Sequence, residues 1–161
     1  MSLILDGGNG ITFPSGSGTQ AAPSKVLQVV QGTLSGSTST SSSSFTSTGL
    51  TASITPLFST SKILIFVSLV GSYTVSSGNE MFTTIYRGST NIAPAGTIQS
   101  FSDLYCASSN ALSNISYAYL DSPATTSSTS YTIYFYSGVS GAVRINANGQ
   151  TSFITLMEIA Q

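Results

Sequence analysis

The sequence predicts an all-β protein: an antiparallel jelly-roll β-sandwich over residues 25–161, preceded by an extended N-terminal arm over residues 1–24. Short apolar runs with period-two alternation recur along the chain, and Gly, Pro and Ser punctuate them at regular intervals. No helical segment divides the chain into βαβ units, so a parallel sheet is not expected. The alternation is clearest between Asn114 and Tyr136, where Ile115, Tyr117 and Tyr119 alternate with Ser116, Ala118 and Leu120. Asp121-Ser122-Pro123 stops that run, and Tyr131–Tyr136 resumes it after the polar stretch Ala124–Ser130. This stretch reads as two antiparallel strands joined by a long loop, with their aromatic side chains paired across the ladder.

The elements can be justified in order. In the arm, Leu3-Ile4-Leu5 and Ile11-Thr12-Phe13 are apolar bursts around Asp6-Gly7-Gly8-Asn9-Gly10. Asn9-Gly10 is a type I′ turn signal, so a small hairpin is expected there, one that needs a neighbour to be stable. Lys25–Gly32 is the first firm strand. The Ser/Thr-rich stretch Leu34–Gly49 could be a linker by composition. Threonine favours strands, however, and Phe45, Leu50 and Ile54 supply apolar anchors, so strands are expected around Phe45 and over Ala52–Thr55. Lys62–Ser72 is apolar on both faces, with Ile63, Ile65, Val67 and Leu69 on one and Leu64, Phe66 and Val70 on the other. Such a strand is covered on both sides, here by the core and by another subunit. Glu80–Tyr86 is the next strand, Thr97–Ala107 reads as two short edge segments, and Ala142–Ala147 is a small strand before the hairpin signal Asn148-Gly149. Thr151–Ala160 closes the chain, again apolar on both faces.

Composition narrows the function. Charged residues make up 6% of the 161 residues, against about 25% in ordinary domains, and the net charge is −1. That balance cannot drive phosphate binding by counterion release, so no nucleic-acid partner is expected. A free monomer with so little charge is poorly protected from association, which points to life in an assembly. The longest apolar run, Ile63–Val67 extending to Val70, is far short of the roughly 20 residues of a membrane helix, and no basic-then-apolar leader opens the chain. No membrane partner is expected, and the chain is expected to be soluble and made in a cytoplasm.

The chain has no histidine and one cysteine, Cys106, read as a small buried filler. Ser-His-Asp and Cys-His triads and the zincin motif are therefore excluded. Gly7-Gly8-Asn9-Gly10 leads into no helix, so it is not a phosphate cradle. A carboxylate pair is the surviving catalytic route, but Glu80, Asp103, Asp121 and Glu158 are scattered singly, and each has an ordinary structural reading. No Asp-rich loop could hold calcium. No catalytic residue, cofactor or metal is expected. The tyrosines Tyr117, Tyr119, Tyr134 and Tyr136 could form a sugar platform, though at two-residue spacing on strands packing is the better reading.

Several phrases resemble those of tailed-bacteriophage virion structural proteins. They are Gly10-Ile11-Thr12-Phe13-Pro14 with Gly18-Thr19-Gln20, Ser24–Val30, Ser61–Leu64, Arg87-Gly88-Ser89, Tyr119–Thr125 and Ile154–Glu158. Each is short, but together they span nearly the whole chain. The resemblance implies a C1q/tumour-necrosis-factor-like jelly roll that packs as a homotrimer and offers no catalytic motif. On this reading Leu3, Ile4, Leu5, Ile11 and Phe13 anchor the arm to other virion proteins. Phe66, Val70, Tyr117, Tyr119, Tyr134, Tyr136, Ile154 and Leu156 are the candidate trimer contacts. A capsid decoration or head-fibre protein in the virion is favoured. The alternatives are a tail-fibre or tail-tip component that binds a host receptor, and a glycan-binding lectin-like domain.

Overall fold

The computed structural model describes residues 25–161 except 97, 111 and 140, together with the backbone of residues 4–6 and 10–12. Thirteen strands follow in chain order. They are β1 (Ile4–Asp6), β2 (Gly10–Thr12), β3 (Val26–Ser35), β4 (Thr38–Thr40), β5 (Thr46–Ile54), β6 (Lys62–Thr74) and β7 (Asn79–Arg87), then β8 (Thr90–Asn91), β9 (Ser102–Cys106), β10 (Ser113–Asp121), β11 (Thr129–Ser137), β12 (Val143–Ile145) and β13 (Thr151–Ile159).

The domain strands form two antiparallel sheets. The first runs β3-β13-β6-β10, with β12 and β4 extending it beside the end of β6; the second runs β5-β11-β7-β9, with β8 beside the end of β7. Setting aside the short β4, β8 and β12, the eight longer domain strands read 1-8-3-6 in one sheet and 2-7-4-5 in the other. First pairs with last, second with seventh, third with sixth and fourth with fifth. That is one long hairpin rolled into a two-sheet sandwich, the jelly-roll topology.

Side-chain alternation assembles the core. Leu50, Ala52 and Ile54 of β5 are buried, as are Ile63, Ile65, Val67 and Leu69 of β6, and Tyr131, Ile133 and Phe135 of β11. Ile154 and Leu156 of β13 close the same core. Two glycines are needed where they stand. Gly49, at φ 86°, lies where the β5–β11 register slips between Thr132 and Tyr134, a bulge whose left-handed backbone suits glycine. Gly32 faces the neighbouring sheet, and a Cβ there would press into the carbonyl of Thr51, so the sandwich closes at this edge on bare backbone.

Four sequence expectations change. The tyrosine-rich stretch 114–136 is not a hairpin: β10 pairs with β6, while β11 pairs with β5 and β7 in the other sheet. The loop between them crosses the sandwich, because inward residues Ile115 and Ile133 must face each other across the core rather than side by side. The two strands expected around Phe45 and over Ala52–Thr55 are one, β5, with the short β4 before it in the Ser/Thr-rich stretch, and residues 97–107 yield the single strand β9. Gly149 makes a turn at φ 71°, but the flanking β12 and β13 do not pair with one another. In the arm, the backbone of β1 pairs antiparallel with β2, Ile4 opposite Thr12 and Asp6 opposite Gly10, as a hairpin requires. Leu3 and Phe13 lie outside the described residues, and for Ile4, Leu5 and Ile11 the description is of backbone alone.

Candidate functional site

Two faces of the sandwich carry unusual side chains. The first is the outer face of the β3-β13-β6-β10 sheet. Register places Val29 beside Met157, Met157 beside Leu64, and Leu64 beside Leu120, an apolar row across four strands. The next row holds Phe66 beside Ala118, and Phe153 follows beside Ser68. In the single chain Val29 is 55% exposed, Leu120 46%, Phe66 40% and Phe153 37%. Among the polar residues of this face, Gln31 donates to Thr155 Oγ1 at 3.1 Å, and Ser35 and Thr151 share a hydroxyl bond of 3.1 Å. Lys62 sits at one end of the face. Large contiguous apolar patches on protein surfaces are a general feature of contact sites.

The second is the outer face of the β5-β11-β7-β9 sheet, where five aromatic rings form a chain. Phe82 stacks on Tyr136 (centroids 4.8 Å apart), Tyr136 meets the edge of Phe45 (4.7 Å), Phe45 meets Tyr86 (6.4 Å), and Tyr86 stacks on Tyr134 (4.0 Å). Phe45, Tyr86 and Tyr136 line a groove of about 450 Å³ with Ser43, Ser44, Asn91, Gly96, Ile98 and Gln99. Asn91 braces its wall: Nδ2 donates to the Gln99 carbonyl at 2.8 Å, and Oδ1 accepts from Thr84 Oγ1 at 2.7 Å and from the Ala93 amide at 3.0 Å. Burial, and then the carboxylates of Asp103 and Glu80, push the Tyr136 phenol above its ordinary pKa, so it remains a neutral hydroxyl.

The four carboxylates named from the sequence do not gather at one site, although Glu80 and Asp103 both stand beside Tyr136. Asp121, nearly buried at the end of β10, accepts bonds from Arg87 Nη1 on both oxygens at 2.8 Å and from the Tyr131 hydroxyl at 2.7 Å. Because Asp121 belongs to one sheet and Arg87 and Tyr131 to the other, this cluster clasps the sandwich at one end. Burial, followed by the Asp121 carboxylate, drives the Tyr131 phenol far above its usual range despite the opposing Arg87. Glu158 is fully buried and pairs with no cation among the described residues; Gln28 Nε2 donates to it at 2.6 Å and the Leu57 amide at 2.8 Å. Burial alone would raise its pKa, but bonds from Gln28 and from the Leu57 and Phe58 amides outweigh it and hold the carboxyl below its ordinary value. Glu158 thus pins the loop after β5 to β13. Asp103 and Glu80 stand beside Tyr136; burial pushes the Asp103 carboxyl up.

The candidate trimer contacts separate into three groups. Phe66 and Val70 lie on the outer face of the first sheet. Tyr117 and Tyr119 point inward and pack against the core, where Phe101 lies 5.5 Å from the Tyr117 ring and 4.9 Å from the Tyr119 ring. Ile154 and Leu156 are fully buried. They are corrected from contact to core, since β13 turns its even-numbered side chains inward and leaves Phe153, Thr155 and Met157 outside. Tyr134 and Tyr136 belong to the aromatic face of the opposite sheet, so the eight residues never form one surface. Sequence reasoning missed Val29, Leu64, Leu120, Phe153 and Met157 as a set. Each strand showed two apolar faces, and only the cross-strand register tells which residues become neighbours.

No protein-family model matches the chain, and no curated protein matches it. Among solved structures, the chain is similar to the VP2 subviral particle of infectious bursal disease virus, at 13% identity and a TM-score of 0.43. The similarity covers 92% of this chain and spans 43% of the length of that one.

Proposed function

We propose that the chain is a phage virion structural protein, a homotrimeric jelly roll that decorates the capsid or forms a short head fibre and is held on the particle by its N-terminal arm. The observation that carries the reading is the outer face of the β3-β13-β6-β10 sheet. Its apolar side chains align in register across four strands and no acidic residue interrupts them, as at a permanent interface between copies. The 6% charge content supports it, since a chain kept in an assembly does not depend on charge for solubility. The phrases that resemble those of phage virion proteins support a place on the particle, and the antiparallel pairing of β1 with β2 suits an arm that docks on a neighbour. No catalytic step, cofactor, nucleic acid or membrane enters this function.

Gold-labelled antibody on intact particles, viewed by electron microscopy, tests the assignment. Label spread over the head is expected, and its loss on deletion of residues 1–22, with the trimer intact, identifies the anchor. Label confined to the tail would replace decoration with a tail-fibre role. Particles without label would overturn the virion reading altogether.

A further inference from the structure

We infer that the groove between Phe45, Tyr86 and Tyr136 is a binding site for an uncharged saccharide. Its volume of about 450 Å³ falls within the roughly 300–1,000 Å³ of small-ligand sites. Three aromatic rings wall it, while hydroxyl, amide and backbone polar groups make up the larger part of its exposed lining, with no Lys, Arg, Asp or Glu among the lining residues. With the Asp103 and Glu80 carboxylates beside Tyr136, that chemistry disfavours phosphorylated and other anionic ligands, which would enter without a counter-charge. It suits a molecule with one face of C–H bonds and a rim of hydroxyls, which is a pyranose ring. The negative faces of aromatic rings attract polarised C–H groups, and the rim needs donors and acceptors.

Both requirements are met in place. Tyr136 is backed by Phe82 and Tyr86 by Tyr134, so the two tyrosine rings are held before any ligand arrives. Phe45 stands edge-on between them, at 88° to Tyr136 and 65° to Tyr86. The Tyr86 and Tyr136 hydroxyls and the Gln99 side-chain amide have no intramolecular hydrogen bond among the described residues, and they border the groove. Asn91, by contrast, already makes three hydrogen bonds that brace the wall. The groove therefore divides its polar groups into a fixed scaffold and an unspent binding rim. It lies within one chain, on the sheet opposite the apolar face, so the site stands or falls independently of trimer formation and of the virion assignment.

An array carrying neutral hexose and N-acetylhexosamine oligosaccharides beside sialylated and phosphorylated ones tests the inference on the full chain. Binding restricted to neutral glycans is expected. Calorimetric titration of the best neutral glycan should then weaken about tenfold in Tyr136→Ala through loss of the ring and hydroxyl that wall the groove. Tyr86→Phe and Gln99→Ala, which keep the packing, should each weaken it roughly three- to tenfold through one lost hydrogen bond. These two variants guard against a Tyr136→Ala effect that arises from disturbed packing around Phe82. Absence of neutral-glycan binding, preference for anionic glycans, or affinity unchanged in both Tyr86→Phe and Gln99→Ala would overturn the site.

Discussion

Phe66 and Val67 are neighbours in sequence and face opposite ways on β6, so one charge placed at each should produce two different failures. Val67 is 2% exposed, between the two sheets. An aspartate there has no cation to pair with, and an uncompensated buried charge costs several kcal/mol, comparable with a total stability of about 5–15 kcal/mol. Val67→Asp should not fold. Phe66 leaves 40% of its surface exposed in the single chain, about 80 Å² if the side chain buries roughly 200 Å² when covered. Covering that area at about 25 cal/mol per Å² is worth about 2 kcal/mol per chain. Over three chains the loss is about 6 kcal/mol, or roughly four decades in the assembly constant. Phe66→Asp should therefore keep the far-ultraviolet circular dichroism of the wild type and sediment as a monomer. A Phe66→Asp protein with wild-type mass, or a folded Val67→Asp protein, would refute the assignment of the two faces of β6.

Three further outcomes test the packing. Tyr131→Phe removes the hydroxyl that donates to Asp121 and keeps the buried ring; losing a hydrogen bond to a charged acceptor should cost about 2 kcal/mol. For a chain of this size that is a fall of roughly 4–8 °C in Tm; Tyr131→Ala should cost about 3–5 kcal/mol, and an unchanged Tm in either would remove the clasp. Glu158 has a folded pKa below the ordinary 4.5, so the unfolded chain binds the extra proton. Its contribution is present above about pH 4.5 and fades as pH falls through the folded value. Glu158→Gln should be less stable than wild type in urea at pH 7, with the gap closing in acid; a gap independent of pH would contradict a charged Glu158. Gly32→Ala must push the β3 edge away from the Thr51 carbonyl and should lose about 1–3 kcal/mol, read as a lower urea midpoint; an unaltered midpoint would show that the edge yields freely.

Much of the fold was legible because alternation is a local property. Ile63, Ile65 and Val67 announce the inward face of β6 without reference to any other strand, and Phe45, Leu50 and Ile54 mark strand structure after the serine-rich stretch, though as two strands where the chain has one, β5. Partner choice was not legible. Nothing local distinguishes Tyr117 from Tyr134, yet one sits under the sandwich beside Phe101 and the other on the opposite outer surface beside Tyr86. The same ambiguity misplaced Ile154 and Leu156: β13 is apolar on both faces, and its inward parity follows from pairing with β3 and β6, in which Glu158 also turns inward to meet Gln28. The aromatic groove escaped notice because Phe45, Tyr86 and Tyr136 come from three separate parts of the chain. Asp121 read as a turn residue from its Asp-Ser-Pro context; its bonds to Arg87 and Tyr131 depend on contacts between sheets.

The most direct measurement is the mass of the purified full chain in solution by light scattering, at micromolar concentration and physiological salt. Assembly through the apolar sheet face predicts three times the 16.6 kDa chain mass, falling to one chain in Phe66→Asp. A wild-type protein that holds the mass of a single chain, with Val29, Phe66, Leu120 and Phe153 exposed to water, would contradict the account.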